Sequence, residues 1–169
     1  SDSTGTSGTL TVASTKTVTS NKSDVTITAW DLDMAGSLTA GTLGITIHGA
    51  EAAQTIDLGT TTGNMDIVDA ELGRMTSEAG LQVGSSTSGS IAVVGITDGN
   101  SDTVGTVTIM ATLAAKTVTF ETTASVFDKG VVVQAAKGVV TEVAMTANDG
   151  VMHLEGDSNG SSDSVIQAK

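Results

Sequence analysis

The sequence predicts an all-β chain wound as a parallel β-solenoid, with a β-sandwich as the alternative, and three observations predict it. Short words in which an aliphatic residue alternates with Thr or another polar residue recur along the chain. Aromatic residues are scarce: the 169 residues include two Phe, one Trp and no Tyr. Pro is absent altogether, whereas Thr occurs 29 times and Gly 20 times. A globular core of this length ordinarily recruits aromatic rings, each of which buries a large apolar area. A solenoid interior is narrow, about one aliphatic side chain deep, and is filled by Val, Ile, Leu and Ala. A ring at an inner strand would delete an N–H that the neighbouring coil needs, so the absence of Pro fits as well.

Taken in order, the strand words are "TLTV" from Thr9, "KTVTS" from Lys16, "DVTIT" from Asp24, "LGITIH" from Leu43, "QTIDLG" from Gln54, "GTVTIM" from Gly105 and "KTVTF" from Lys116. Their period of two is that of a strand with one buried face. It points Leu10, Val12, Val18, Val25, Ile27, Ile45, Ile47, Ile56, Leu58, Val107, Ile109, Val118 and Phe120 inward and the intervening Thr outward. Clusters such as "TSNKSD", "TTTGN", "SSTSGS" and "TDGNSD" separate the words and favour tight turns. At most one short helix is expected, near 69–76. Val68, Leu72 and Met75 fall at i, i+4 and i+7, Asp69 stands where a cap would, Glu71 lies in the first turn and Gly80 offers a stop. The organisation expected is a flexible segment over 1–8, a solenoid over 9–155 and a C-terminal segment over 156–169. Val165 and Ile166 open a further strand there, free to pair with the next repeat or a neighbouring copy.

The words around that helix resemble the repeats of filamentous-haemagglutinin-like exoproteins. In that family an Asp-Ala-Glu-Leu word precedes a Leu-x-Val/Ile-Gly strand and a Ser/Thr/Gly turn, as in "DAELGRMTSEAGLQVGSSTSG" from Asp69. "DVTITAWDLDMAGSLTAG" and "KTVTFETTASVFDKGVVVQAAKG" are similar to other coils of such proteins. The resemblance implies a right-handed parallel β-helix within a large secreted or surface-held adhesin. The amino-terminal secretion domain of the family is not in this sequence.

Composition narrows the function classes. A formal net charge of −12 disfavours nucleic acid and anionic membrane surfaces. No apolar run reaches the roughly 18 residues of a membrane span, because Val131 to Met145 is interrupted by Gln134, Lys137 and Glu142. Absence of Cys excludes disulfides and thiolate metal sites and fits an exported chain. No signal peptide is read at Ser1, which suggests a mature chain or a fragment.

Chemistry-bearing residues are few. His48 and His153 stand alone beside strands, and no Ser sits in a nucleophile elbow, so acyl transfer has no constellation. Asp31 and Asp33 share one side of a strand, the arrangement a β-helix polysaccharide-cleaving enzyme would need, but with no basic partner to grip an acidic sugar. Asp98, Asn100 and Asp102 place oxygen atoms at alternating positions around a turn, a spacing suited to calcium. Asp157, Asn159 and Asp163 form a looser version. No other cofactor is expected. Thr-x-Thr words at Thr9, Thr17, Thr26, Thr106 and Thr117 raise ice binding, which requires them stacked on one flat face. The expectation is a noncatalytic structural module of an extracellular or cell-surface fibre or adhesin, able to self-assemble end to end into filaments, with identical copies, neighbouring repeats, a glycan or the cell surface as partners. The alternatives are a binding module for ice, calcium or glycan and a β-helix carbohydrate-active enzyme.

Overall fold

The protein, seen in a computed structural model, is described over residues 8–21, 23–60, 62–158, 160 and 165–168. Apart from Gly8, the 1–8 segment lies outside these residues. Over the described residues the chain is nearly all β, with 19 short strands and two single-turn helices, and every strand pairing there is parallel. Facing antiparallel layers, the geometry of a sandwich, are not what these pairings build.

One six-stranded sheet follows chain order: β3 (Val25–Ala29), β6 (Ile45–Gly49), β10 (Leu81–Ser85), β12 (Val107–Ala111), β15 (Val131–Ala135) and β18 (Met152–Glu155). Its register stacks two aliphatic columns, Val25, Ile45, Leu81, Val107, Val131, Met152 and Ile27, Ile47, Val83, Ile109, Val133, Leu154. A second sheet runs β7 (Ile56–Gly59), β11 (Ile91–Val93), β13 (Thr117–Phe120), β16 (Gly138–Thr141) and β19 (Val165–Ala168), with β8 (Met65–Val68) added beyond β7. Smaller sheets join β1 (Thr9–Val12) to β4 (Asp31–Met34), β2 (Thr17–Thr19) to β5 (Ser37–Gly41) and β9 (Met75–Ser77), and β14 (Ser125–Phe127) to β17 (Met145–Ala147). The strand at Val165 therefore pairs with β16 of its own chain.

The alternation works as the sequence predicts in the middle of the chain. Ile27, Ile45, Ile47, Ile56, Leu58, Val107, Ile109, Val118 and Phe120 are all buried in one continuous core. Burying each such side chain contributes about 1.5–3 kcal/mol, and Phe120 and Phe127, the largest, have no exposure at all. Leu10 and Val18 correct the expectation: they are 38% and 47% exposed. Both lie on strands that end their sheets, so no described strand stacks over them. Val25 is half-buried for the same reason.

The helical stretch also departs from expectation in three ways. α1 spans only Asp69–Leu72, because Met75 already opens β9. Asp69 is the first helical residue and does not cap its own helix; its carboxylate instead accepts from Thr97 N–H, Thr97 Oγ1 and Asn100 Nδ2 at 2.9, 2.8 and 2.7 Å. Thr97 caps, and Asn100 lies on, a second helical turn, α2 (Asp98–Ser101), where the sequence predicts a plain turn. The two turns thus lie together, joined by the Asp69 carboxylate.

Glu71 explains why an acidic residue lies inside the core wall. It is 7% exposed, and its Oε1 accepts from Met34 N–H at 2.7 Å while Oε2 accepts from Val68 N–H at 3.0 Å. The carboxylate thereby satisfies main-chain donors of β4 and of the residue before α1. Glu71→Ala orphans both, and a buried unsatisfied donor costs about 1–3 kcal/mol. A lowered denaturant midpoint with an unchanged slope is the expected result; an unchanged midpoint would mean that water replaces the carboxylate freely.

Candidate functional site

A group of three carboxylates, Asp31, Asp57 and Asp66, lies where β8 pairs with β7. Parallel strands so close in sequence require a tight return, and the polar residues of "DLGTTTGNMD" supply it. Asp57 faces outward on β7 yet is only 5% exposed. Its Oδ2 accepts from Thr62 N–H at 3.1 Å and from Thr62 Oγ1. Asp66 Oδ1 accepts from Gly63 N–H at 3.0 Å, and Asp31 Oδ1 accepts from Asp66 N–H at 3.1 Å. Asn64 completes the return, its N–H donating to Thr55 Oγ1 and its Oδ1 accepting from the same hydroxyl, both at 3.1 Å.

Three carboxylates thus meet at Asp31, Asp57 and Asp66. Burial raises the Asp66 pKa above its ordinary 3.8, the Gly63 N–H opposes that rise, and the nearby Asp57 and Asp31 charges add to it. A carboxyl whose folded pKa exceeds its unfolded value stabilises the fold at low pH and loses that contribution as pH rises above 3.8 through the folded value. Asp66→Asn keeps an oxygen for Gly63 N–H and removes the charge. Its melting temperature is expected to exceed that of the wild type at neutral pH and to converge with it below pH 3.8; a lower melting temperature at neutral pH would contradict this assignment.

The arrangement clamps a loop: the Asp57 and Asp66 carboxylates accept main-chain N–H groups of the return, and Asp31 accepts that of β8. Asp33, the expected companion of Asp31, is exposed on the same outward side of β4, while Leu32 and Met34 between and beyond them are buried. The partners that Asp31 does have, Asp57 and Asp66, come from strands later in the chain. No local spacing pairs them, although the polar run from Thr60 to Asn64 marks the tight return that brings them together. A shallow hollow of about 250 Å³ lies alongside on the second sheet, bounded by Asp57, Thr62, Ala92, Thr119 and Glu121.

The remaining candidates are dispersed. Asp98, Asn100 and Asp102 do not alternate along a strand, for the first two lie on α2 and Asp102 just beyond it. Asn100 turns its amide to Asp69, Asp98 Oδ1 accepts from Asn148 Nδ2 at 2.6 Å, and the Asp102 carbonyl accepts from Lys129 Nζ. Among the described residues no group of three or more His, Asp or Glu side chains is arranged to hold a metal ion. Asp157 is exposed, and Asn159 and Asp163 lie outside the described residues. His48 contacts Thr28 Oγ1 at 3.1 Å and Gly49 O at 3.0 Å, while His153 is exposed on β18.

The Thr-x-Thr words fall in four different sheets. In the six-stranded sheet containing β3, the outward column reads Thr26, Thr46, Gln82, Thr108, Val132, His153, so the threonine row is broken. Comparison of the chain with protein-family models, with curated proteins and with solved structures returns no match.

Proposed function

We propose that the ladders are the faces of one right-handed parallel β-solenoid, serving as a noncatalytic structural module of an extracellular or cell-surface fibre or adhesin. One observation carries the reading: two aliphatic columns run through six parallel strands without an antiparallel partner. Such stacking builds length and stiffness, since each strand adds one step along the same axis. The use of buried polar groups agrees with it. Glu71, Asp57 and Ser125 each accept main-chain hydrogen bonds, so these buried polar groups hold strands and loops in place.

The outer face suits such a role. It is hydroxyl-rich and acidic, which keeps a long module soluble and resists non-specific association with other acidic surfaces. Electron microscopy of the purified chain tests the reading: slender particles of constant width are expected, and compact isodiametric particles would overturn it.

A further inference from the structure

On the outer wall of the β2–β5–β9 sheet, Lys16 and Arg74 border one open hollow of about 290 Å³ together with Thr15, Thr17 and Ser37, and no Asp or Glu borders it. The chain carries 19 acidic residues against 7 basic ones, so two cations gathered without a carboxylate run against its composition. The register of the sheet assembles them. β2 sets Thr17 beside Ser37, their hydroxyl oxygens 2.9 Å apart. Leu38 pairs with Met75 and its N–H donates to Arg74 O at 3.0 Å, which places Arg74, one residue earlier, beside Ser37. Leu38 and Met75 are buried, so the alternate residues Ser37 and Arg74 lie on the outer side. Lys16 enters from the turn before β2, where its N–H donates to Ala13 O at 3.1 Å and its carbonyl accepts from Ser37 N–H at 2.9 Å. Gly36 permits that approach, because a Cβ there would run into the main-chain oxygens of Ala13 and Lys16.

Neither cation is spent on an acidic partner. Among the described residues Lys16 and Arg74 form no ion pair, whereas Lys129 pairs with Asp128 at 3.3 Å. Arg74 Nη1 donates to Met34 O at 3.0 Å, which anchors the guanidinium and leaves its other N–H donors for a ligand. Glu71 directs its carboxylate into the wall, to Met34 and Val68 N–H. We infer that this hollow binds an acidic sugar, a hexuronate unit of a polysaccharide. The planar fork of Arg74 suits a carboxylate, with the Lys16 ammonium adding charge beside it. Thr17 and Ser37 hydroxyls both donate and accept, as pairing with ring hydroxyls requires. The volume is that of the smallest ligand sites, roughly 300 Å³, and the open rim lets a sugar chain continue past the bound unit. The inference adds a ligand to the structural role proposed above and stands on the β2–β5–β9 ladder alone.

The net charge of −12 repels a long polyanion, so a galacturonate trimer is the appropriate probe. Titrated into the isotope-labelled chain, it should shift the amide resonances of Thr17, Ser37 and Arg74 and leave those of Gln82 and Thr108, on another sheet, in place. The methyl-esterified trimer keeps the ring hydroxyls without the charge and should bind about tenfold more weakly, the loss of one charge-assisted contact. Arg74→Gln and Lys16→Gln should each weaken the acidic trimer by about the same factor. Thr17→Val with Ser37→Ala should weaken the trimer while leaving the binding of a glutamate tripeptide unchanged. These four side chains lie on the outer face, and unshifted core resonances will verify that each variant is folded. A wild-type spectrum that the trimer does not change would overturn the inference, as would ester and acid binding alike. Shifts confined to other residues would place the sugar elsewhere, and a glutamate tripeptide bound as tightly as the trimer would reduce the hollow to a generic anion patch; either result refutes the assignment.

Discussion

Ile109→Asp is expected to abolish soluble, folded protein, while Thr108→Asp next to it leaves folding nearly intact. Ile109 has no exposure and lies in the middle of a column, between Val83 on β10 and Val133 on β15. A carboxylate there would lose its hydration with no donor facing it, at an effective cost of several kcal/mol. That is a large share of the roughly 5–15 kcal/mol that holds a typical domain together. Protonation would spare the charge but leave a buried hydroxyl without a partner. Thr108 points to the other face and is partly exposed, and a surface change of this sort ordinarily moves stability by about 0.5 kcal/mol or less. Soluble yield and thermal unfolding of the two variants check the alternation directly. Equal tolerance of both would show that the face assignment of β12 is wrong.

Gly84→Ala should be strongly damaging, for a reason unrelated to hydrophobicity. Gly84 has φ +87°, and a Cβ built on it would stand 2.2 Å from Met110 O and 2.7 Å from Ile91 Cδ1. The first of these atoms is main chain of the adjacent strand, which cannot move without breaking the β10–β12 ladder. The backbone conformation alone costs a non-glycine residue roughly 1–3 kcal/mol, and the contact adds to it. Gly99→Ala is the control, because a Cβ on Gly99 has nothing within 4 Å and its φ is not positive. Chemical denaturation should show a large fall in midpoint for Gly84→Ala and little change for Gly99→Ala. Comparable midpoints would mean that β10 and β12 are not so closely apposed.

The fold was legible wherever a strand has neighbours on both sides. There the period of two translates directly into burial, as at Ile45, Ile47, Val107 and Ile109. It failed at Leu10 and Val18 because alternation says which residues share a face but not whether anything covers that face. The words "DLDM" and "MDIV" show another gap: the first drew notice for Asp31 and Asp33 and the second was not read as a strand, whereas Leu32, Met34, Met65 and Ile67 are fully part of the core. α2 was missed because "DGNS" has no apolar period. It forms beside α1, where Asp69 gathers its first donors and Ser101 Oγ accepts from Asp128 N–H at 2.9 Å. Asp57 was unreadable for the same kind of reason, being an outward residue that becomes buried only because Thr62 folds back over it.

The central claim is that strands from successive stretches of the chain lie in parallel register, and amide-proton nuclear Overhauser contacts test it most directly. The account predicts cross-strand contacts linking Ile47 to Val83, Val83 to Ile109 and Ile109 to Val133, in the pattern of parallel strands. Short contacts between α-protons of chain-adjacent strands such as β12 and β13, the mark of an antiparallel hairpin, would contradict it.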